Sequence, residues 1–255
     1  MKTLISFVHF DRGANSASRL NLDFFIKFGL IDSPDYQFNF VINSETGGDH
    51  IPNKPNVSVI KGHNKGYDNG GWKQSFDFSG IDNFDYFICI NDTCRGPFLP
   101  NYIPKSLTWV EMFLKDIDEK VKLVGPTWFN KKFHHLLQND FGIPEGKNNH
   151  IQSYCFGMDR ETLKFCIKNE KFNAIGKSKT GVIKDHEIGM STLLLNNGFQ
   201  IKPFLLSRNS GQKHSCVSQH KGAYFGDTIN PLEVMFFKTT IQNQTIENYT
   251  KWKMN

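Results

Sequence analysis

Two short motifs in this 255-residue chain contain residue types that bind charged, phosphate-bearing ligands. The first, NKGYDNGGW, combines three glycines with Asp68, and the second, FDYFICINDTCRGPF, places Asn91 and Asp92 directly after an apolar run. A carboxylate at a strand end can hold a hard divalent cation, which takes one or two protein carboxylates and completes its shell with diphosphate oxygens and water. The second motif therefore predicts a site where Asp92 holds a metal ion beside a diphosphate.

Further residues of the same motifs are candidate phosphate ligands. Arg95 is always charged and can bind phosphate in a forked geometry. Glycines permit tight turns and a close approach of the backbone to a ligand, which makes Gly66 and Gly71 candidates beside Asn64. An ordinary alternative exists for the two acids of these motifs, because aspartate is also a typical turn or helix-capping residue.

Two other phosphate-binding motifs are absent from the sequence. Gly62, Gly66 and Gly70 are spaced by four residues, which is not the G-x-G-x-x-G spacing of dinucleotide-binding proteins. No Gly-Lys-Ser/Thr follows a glycine at the spacing of a Walker loop. The pattern therefore argues against an NAD enzyme and against a P-loop protein.

Short apolar runs alternate with segments of helical spacing along most of the chain. The runs are TLISFVHF, YQFNFVIN, VSVIKG, YFICIN, VKLVGPTWF, HIQSYCFGM and QIKPFLL. Several are apolar at consecutive positions, which is typical of parallel strands covered on both faces. The alternation predicts an α/β, Rossmann-like fold with a mainly parallel central sheet flanked by helices. We expect one domain over residues 1–240 and a peripheral C-terminal tail over 241–255.

The predicted fold places both motifs at one edge of the sheet. In an open α/β sheet, ligands bind beyond the carboxyl ends of the strands, near the point where strand order reverses. Each motif follows a predicted strand, so we expect the two to converge on one ligand. The polar stretch from Asn130 to His150 lacks a clean period and is expected to form a loop that serves binding.

Composition narrows the class of protein. The net charge of +5 is spread along the chain without a cluster of basic and aromatic residues, which argues against nucleic acid as a partner. Five cysteines without a C-x-x-C pair argue against a disulfide framework and favour a reducing compartment. No run approaches the roughly 20 apolar residues of a membrane span. We therefore expect a cytoplasmic protein without an integral membrane segment.

Taken together, the two motifs resemble those of the A-type (GT-A) glycosyltransferases, in particular a group of surface-polysaccharide transferases of bacteria, algae and large DNA viruses. That group has a pattern similar to N-x-G-x-D-x-G-x-W followed by Y-D-Y-[apolar]-N-D-S/T-x-R-G-P-F. The stretches HIQSYCFGMDRETL, HEIGMSTLLLNNGF and NPLEVMFFKT are similar to later segments of the group, so the resemblance extends from about Thr3 to Lys238. One departure is that the Asp-x-Asp signature is reduced to Asn91-Asp92-Thr93, which leaves metal dependence open.

The resemblance implies transfer of a sugar from a nucleotide-diphosphate sugar, expected to be a UDP-sugar, to a hydroxyl of a glycan acceptor, with inversion. A divalent cation, Mn²⁺ or Mg²⁺, is expected at Asp92. Glu187 matches the position of the catalytic base, with Asp185 as the alternative. Both acids are also suited to capping the helix that contains them and to complementing its dipole.

The resemblance also implies the remaining binding residues. Asp11 and Arg12 follow the first strand, where the uracil and ribose lie in similar folds, and Ser153 and Asp159 belong to the segment that lines the acceptor side. Asp159 has the alternative of being the N-cap of the next helix. The full set of expected donor-binding residues is Asp11, Arg12, Asn64, Gly66, Asp68, Gly71, Asn91, Asp92 and Arg95.

Two other functions are compatible with these residues. The incomplete Asp-x-Asp signature suits a non-catalytic domain that binds a sugar nucleotide or a glycan. A sugar nucleotidyltransferase also combines a glycine-rich nucleotide loop with a metal-holding aspartate, but its basic G-x-G-T-R-L start is missing here. The sequence leaves the donor sugar, the linkage and the oligomeric state undetermined.

Overall fold

A computed structural model of the chain describes residues 1–129, 150–205, 229–240 and 244–255. The predicted binding loop lies outside these described residues, except for its last member, His150.

The described strands are β1 (Thr3–His9), β2 (Tyr36–Ile42), β3 (Val57–Lys61), β4 (Tyr86–Asn91), β5 (Cys94–Arg95), β6 (Val121–Gly125), β7 (Trp128–Phe129), β8 (His150–Ile151), β9 (Cys155–Asp159), β10 (Gln200–Pro203) and β11 (Phe237–Lys238). The centre of the molecule is a seven-stranded sheet of order β10-β6-β9-β4-β1-β2-β3. Six of its strands are parallel, and β9 runs antiparallel between β4 and β6. Two further pairs, β5 with β11 and β7 with β8, are antiparallel. The predicted α/β class with a mainly parallel sheet is confirmed.

The helices are α1 (Ala17–Gly29), α2 (Tyr67–Ser79), α3 (Trp109–Leu114), α4 (Arg160–Lys168), α5 (Lys179–Val182), α6 (Gly189–Asn196), α7 (Pro231–Val234) and α8 (Gln244–Met254), with a 3-10 turn at Ile81–Asn83 and a π-helical turn at Ile183–Ile188. Side-chain caps set several helix starts. The Ser16 hydroxyl accepts a hydrogen bond from Arg19 N at the start of α1, and Thr108 forms a capping box with Glu111 at the start of α3. None of the described helices has the length and apolarity needed to cross a membrane.

Apolar side chains cover both faces of the central sheet. Along β1, Ile5 and Phe7 pack into one hydrophobic cluster, while Leu4 and Val8 pack into the cluster on the opposite face. Successive side chains of a strand point to opposite faces, so a strand that is buried on both sides must be apolar at consecutive positions. This requirement explains why the strand signal of this chain is a continuous apolar run.

The strand order reverses between β1 and β4. The chain runs from β1 outward through β2 to β3 and then returns to place β4 on the other side of β1. The crevice beyond the carboxyl ends of β1 and β4 is therefore the topological switch point, where open α/β sheets bind ligands. Residues that follow His9 and Asn91 face this crevice.

The C-terminal segment corrects the prediction of a peripheral tail at 241–255. Helix α8 packs on the domain through Ile246, which is 1% exposed and belongs to a cluster with Phe24 and Phe98. On the same helix, Glu247 forms an ion pair with the buried Arg95. Because α8 contributes to this hydrophobic cluster, it is part of the fold.

Candidate functional site

A cavity of about 560 Å³ opens at the switch point, at the carboxyl edge of the sheet. Its charged lining residues are the acids Asp68, Asp92 and Glu187 and the bases Arg12, Lys179 and Lys238. Both predicted motifs reach this cavity, because Asn64 and Asp68 line it from the start of α2, and Asn91 and Asp92 from the end of β4. The predicted convergence of the two motifs is thus found in the structure.

Asp92 is held at the base of the cavity by groups that follow β1. Its side chain is 3% exposed, and its Oδ2 accepts hydrogen bonds from Phe10 N at 2.7 Å and from a guanidinium nitrogen of Arg12 at 3.1 Å. His9 Nδ1 lies 3.1 Å from the same oxygen. The Asp92 amide donates to Val8 O at 3.1 Å, which ties the end of β4 to the end of β1. These contacts fix the direction of the Asp92 carboxylate.

Asp68 and Asn91 join the two motifs directly. Asn91 Nδ2 donates to Asp68 Oδ2 at 2.8 Å, while Asn91 Oδ1 accepts from the Thr93 hydroxyl at 2.6 Å and from the Thr93 amide at 3.0 Å. Burial, and after it the nearby charge of Asp92, raises the pKa of Asp68 to about 6. The two carboxyl groups are therefore close enough to interact electrostatically.

The donor set of this region suits a hard divalent cation. Such a cation takes one or two protein carboxylates, and Asp92 with Asp68 supplies two that repel each other when both are charged. Within the described ranges, there is no group of three or more His, Cys, Asp or Glu side chains that could hold a metal ion. A cation bound here would thus draw the rest of its ligands from a diphosphate and water.

Glu187 lines the cavity from the π-helical turn at Ile183–Ile188. π-helical turns are rare and occur frequently at functional sites. Glu187 Oε1 accepts a hydrogen bond from Ser153 N at 3.3 Å and lies 3.6 Å from His150 Nε2. The carboxylate is 20% exposed, so a ligand in the cavity can reach it. The structure therefore places Glu187 and Ser153, both predicted from the sequence, side by side.

Asp185, the alternative base, lies outside the set of described residues that line the cavity. Its Oδ2 accepts a hydrogen bond from Lys177 Nζ at 2.8 Å, and this bond lowers the pKa of Asp185. Its side chain is 42% exposed. Two acids separated by one residue thus have different surroundings, and of the two only Glu187 lines the cavity.

Arg95 requires a correction, because the structure does not bring it to the phosphate site. The side chain is 1% exposed and belongs to the interior on the α8 side of the domain. Its Nε donates to Asn21 Oδ1 at 2.9 Å, and one terminal nitrogen donates to Thr250 Oγ1 at 3.0 Å and to Glu247 at 3.1 Å. A guanidinium with these partners is not available to a diphosphate in the cavity.

Asp159 also requires a correction as an acceptor ligand. Because β9 is antiparallel to β4, Asp159 pairs with Tyr86 at the start of β4, at the edge of the sheet opposite Asn91. Its carboxylate caps α4 by accepting from Thr162 N at 2.7 Å and forms an ion pair with Lys122 at 2.8 Å. The capping alternative is therefore the one that the structure supports.

Asp11, Gly66 and Gly71 were predicted to bind the donor. They are not among the described residues that line the cavity, but each supports the structure around it. Asp11 accepts hydrogen bonds from Gly13 N and the Thr46 hydroxyl, and the first of these lowers the pKa of Asp11. Gly66 begins α2 at a φ of 83°, a left-handed conformation that favours glycine. Gly71 packs α2 against β1, since a Cβ at this position would lie 2.8 Å from the Val8 methyl groups.

The sequence reasoning missed two lysines of the cavity. Lys238 reaches it from β11 and Lys179 from the first position of α5, and only tertiary structure brings both to one cavity. Asn69 and His186 also line the cavity, and both donate to the carbonyl oxygen of Lys171, at 3.0 and 2.7 Å. Asn69 belongs to the NKGYDNGGW motif and His186 directly precedes Glu187, so both lie beside residues that the sequence singles out.

A cavity lined by acids and bases at the switch point lies where open α/β sheets bind their ligands. The chain belongs to the RgpF family, described as rhamnan synthesis protein F, whose sequence model matches residues 44–254. The predicted resemblance to glycosyltransferases of polysaccharide synthesis is confirmed at the level of the family.

Two solved structures are similar to the chain at low identity. One is the mannosyltransferase PcManGT from Pyrobaculum calidifontis in complex with GDP-Man and Mn²⁺, at 12% identity and a TM-score of 0.46 over 79% of this chain and 55% of that one. The other is the WbbM bifunctional glycosyltransferase in its apo form, at 9% identity and a TM-score of 0.44 over 95% of this chain and 46% of that one. The chain thus spans about half the length of each protein. No curated protein sequence matches the chain.

Proposed function

We propose that the protein transfers a sugar from a nucleotide-diphosphate sugar, specifically a UDP-sugar, to a hydroxyl of a growing glycan, with inversion at the anomeric carbon. The observation that carries this proposal is the cavity itself, which combines Asp92 and Asp68, three bases and the separately anchored Glu187 at the switch point of the sheet. Membership in a family named for rhamnan synthesis supports a polysaccharide as the product.

The bases of the cavity suit the diphosphate of the donor. Arg12, Lys179 and Lys238 come from different elements and line one volume, so their positive charges act together on a ligand there. The Arg12 side chain is 52% exposed, so its exposed part can bind a phosphate oxygen while one terminal nitrogen stays on Asp92. Positive groups that are already in place stabilise the negative charge that grows on the leaving diphosphate.

A divalent cation held by Asp92 and Asp68 would add its charge to this stabilisation, as metal ions do for leaving phosphate groups.

Glu187 is suited to act as the general base. In an inverting transfer, the acceptor oxygen forms a bond to the anomeric carbon while the bond from that carbon to the diphosphate oxygen breaks, and the hydroxyl proton passes to a carboxylate. The Ser153 amide orients the Glu187 carboxylate through one oxygen. The second carboxylate oxygen is then available to the acceptor hydroxyl.

The test measures two properties of one set of variants. Titration calorimetry with UDP, GDP and TDP, with and without Mn²⁺, reports donor binding, and release of free nucleotide diphosphate in the presence of glycan acceptors reports transfer. We expect Glu187→Gln to bind nucleotide like the wild type and to lose turnover by a factor of about 100 or more. Asp185→Asn is the matched control, because it removes a neighbouring carboxylate outside the cavity, and it should retain turnover.

Two outcomes would contradict the proposal. Turnover of Glu187→Gln at the wild-type rate would remove Glu187 as the base. Nucleotide binding without transfer to any acceptor would instead indicate the non-catalytic sugar-nucleotide-binding domain.

A further inference from the structure

A chain of hydrogen bonds that is buried at Arg95 and Asn21 connects helix α8 to Asp92 in the cavity. It begins at Glu247, whose carboxylate accepts from Arg95 at 3.1 and 3.2 Å, and it continues from Arg95 Nε to Asn21 Oδ1 at 2.9 Å. Asn21 Nδ2 then donates to the backbone carbonyl of Asp92 at 2.8 Å and to the hydroxyl of Thr239 at 2.7 Å. We name this chain of Glu247, Arg95 and Asn21 the relay.

The relay ends on both sides of the proposed diphosphate site. Asp92 provides the carboxylate at the end of β4, and Thr239 directly follows Lys238, one of the three bases. The Thr239 amide and hydroxyl both bind the carbonyl oxygen of Thr93, at 2.8 and 3.1 Å. The amide of Asn21 therefore bonds to two chain segments that lie far apart in sequence and that also hydrogen-bond to each other.

The relay is an expensive arrangement for a purely structural role. Taking a guanidinium out of water costs several kcal/mol, which the ion pair and hydrogen bonds have to offset. Arg95 is among the largest fully buried side chains of the described residues and adjoins the apolar cluster of Phe24, Phe98 and Ile246. An apolar side chain could fill such a position at less cost, but it could not orient Asn21.

We propose that the relay positions the donor site: α8 holds Arg95, Arg95 orients the Asn21 amide, and Asn21 fixes the Asp92 carboxylate relative to the Lys238 ammonium. The relay residues are positioning residues, since none of them is among the described residues that line the cavity. This inference rests on the proposed function, because it assigns the two held groups to one diphosphate.

The variant that tests the relay is Asn21→Asp. Aspartate keeps an oxygen for Arg95 but replaces the Nδ2 donor by a second oxygen, which cannot donate to the Asp92 carbonyl. The ion pair of Arg95 with Glu247 is kept, so the domain should remain folded. We expect the affinity for UDP in the presence of Mn²⁺ to fall about tenfold or more, since small displacements of binding groups have large effects.

Hydrogen exchange provides a readout that does not depend on the ligand. In Asn21→Asp, the amides of the segments that contain Asp92 and Lys238 should exchange faster, because both segments lose a shared anchor. Asn248→Asp makes the same substitution at an exposed position of α8 and should change neither exchange nor affinity. Glu247→Gln, which weakens the first link, should show the same direction of effect as Asn21→Asp.

The two ideas fail in different ways. If Asn21→Asp leaves both the UDP affinity and the exchange of these amides at wild-type values, the relay is overturned. If the wild-type chain binds no nucleotide diphosphate, the proposed function is overturned. Hydrogen exchange then still tests the relay, which is overturned if the amides of Asn21→Asp exchange at wild-type rates.

Discussion

Replacing Arg95 by methionine tests whether this arginine stabilises the fold or binds phosphate directly. Arg95 was predicted to bind phosphate, whereas the structure gives it Asn21, Thr250 and Glu247 as partners in the interior. In Arg95→Met, the acceptors of Asn21 and Thr250 remain buried without their donor, since these residues are 1% and 2% exposed. An unsatisfied buried group costs about 1–3 kcal/mol.

The expected loss of stability follows from these burial values. Glu247 is 41% exposed, so its carboxylate returns to water and adds little to the cost. The cost of two unpaired buried acceptors is partly offset by the burial of the apolar methionine. We therefore expect the free energy of unfolding to fall by about 3 kcal/mol. For a chain of this size, that loss lowers the melting temperature by roughly 6 °C.

Thermal unfolding followed by circular dichroism measures this change, and Arg12→Met serves as the matched control. Arg12 is half exposed, and its partner Asp92 keeps the hydrogen bond from Phe10 N, so the loss of Arg12 should change the stability by about 1 kcal/mol or less. Because Arg12 lines the cavity, its loss should also weaken nucleotide binding. The reasoning is refuted if Arg95→Met melts within about 2 °C of the wild type.

Three further predictions concern single side chains. Gly71→Ala should lower the free energy of unfolding in urea by about 1–3 kcal/mol, because the new methyl group meets Val8; an unchanged midpoint would contradict this packing. Asp92→Asn should abolish the gain in nucleotide affinity that Mn²⁺ provides in calorimetry, and a gain of wild-type size would exclude Asp92 as a metal ligand. Burial lowers the pKa of His186 below its ordinary 6.5. As the pH falls, the unfolded chain therefore binds a proton at this position before the folded chain does. The stability that neutral His186 contributes is thus present above pH 6.5 and is lost as the pH falls below it. The stability difference between wild type and His186→Gln in urea should therefore shrink from pH 7.5 to 5.5, and a difference independent of pH would contradict it.

Most of the central sheet could be predicted from the sequence. The runs that became β1, β2 and β4 are apolar at consecutive positions because both faces of each strand are covered, and this pattern is local. The direction of β9 was not predictable, since an apolar run looks the same in either orientation. Asp159 was misassigned for this reason, because strand direction decides which edge of the sheet receives the residue after the strand.

Sequence by itself determined the fold class, the family resemblance and the two motifs that meet at the switch point, because each depends on residue type and short spacing. Only tertiary structure decided which charged side chains face the cavity. Glu187 lines it while Asp185 binds Lys177, and Arg12 lines it while Arg95 is enclosed under α8. The physical reason is that the environment of a charged side chain depends on burial and on partners distant in sequence, and neither is encoded in the motif that contains it.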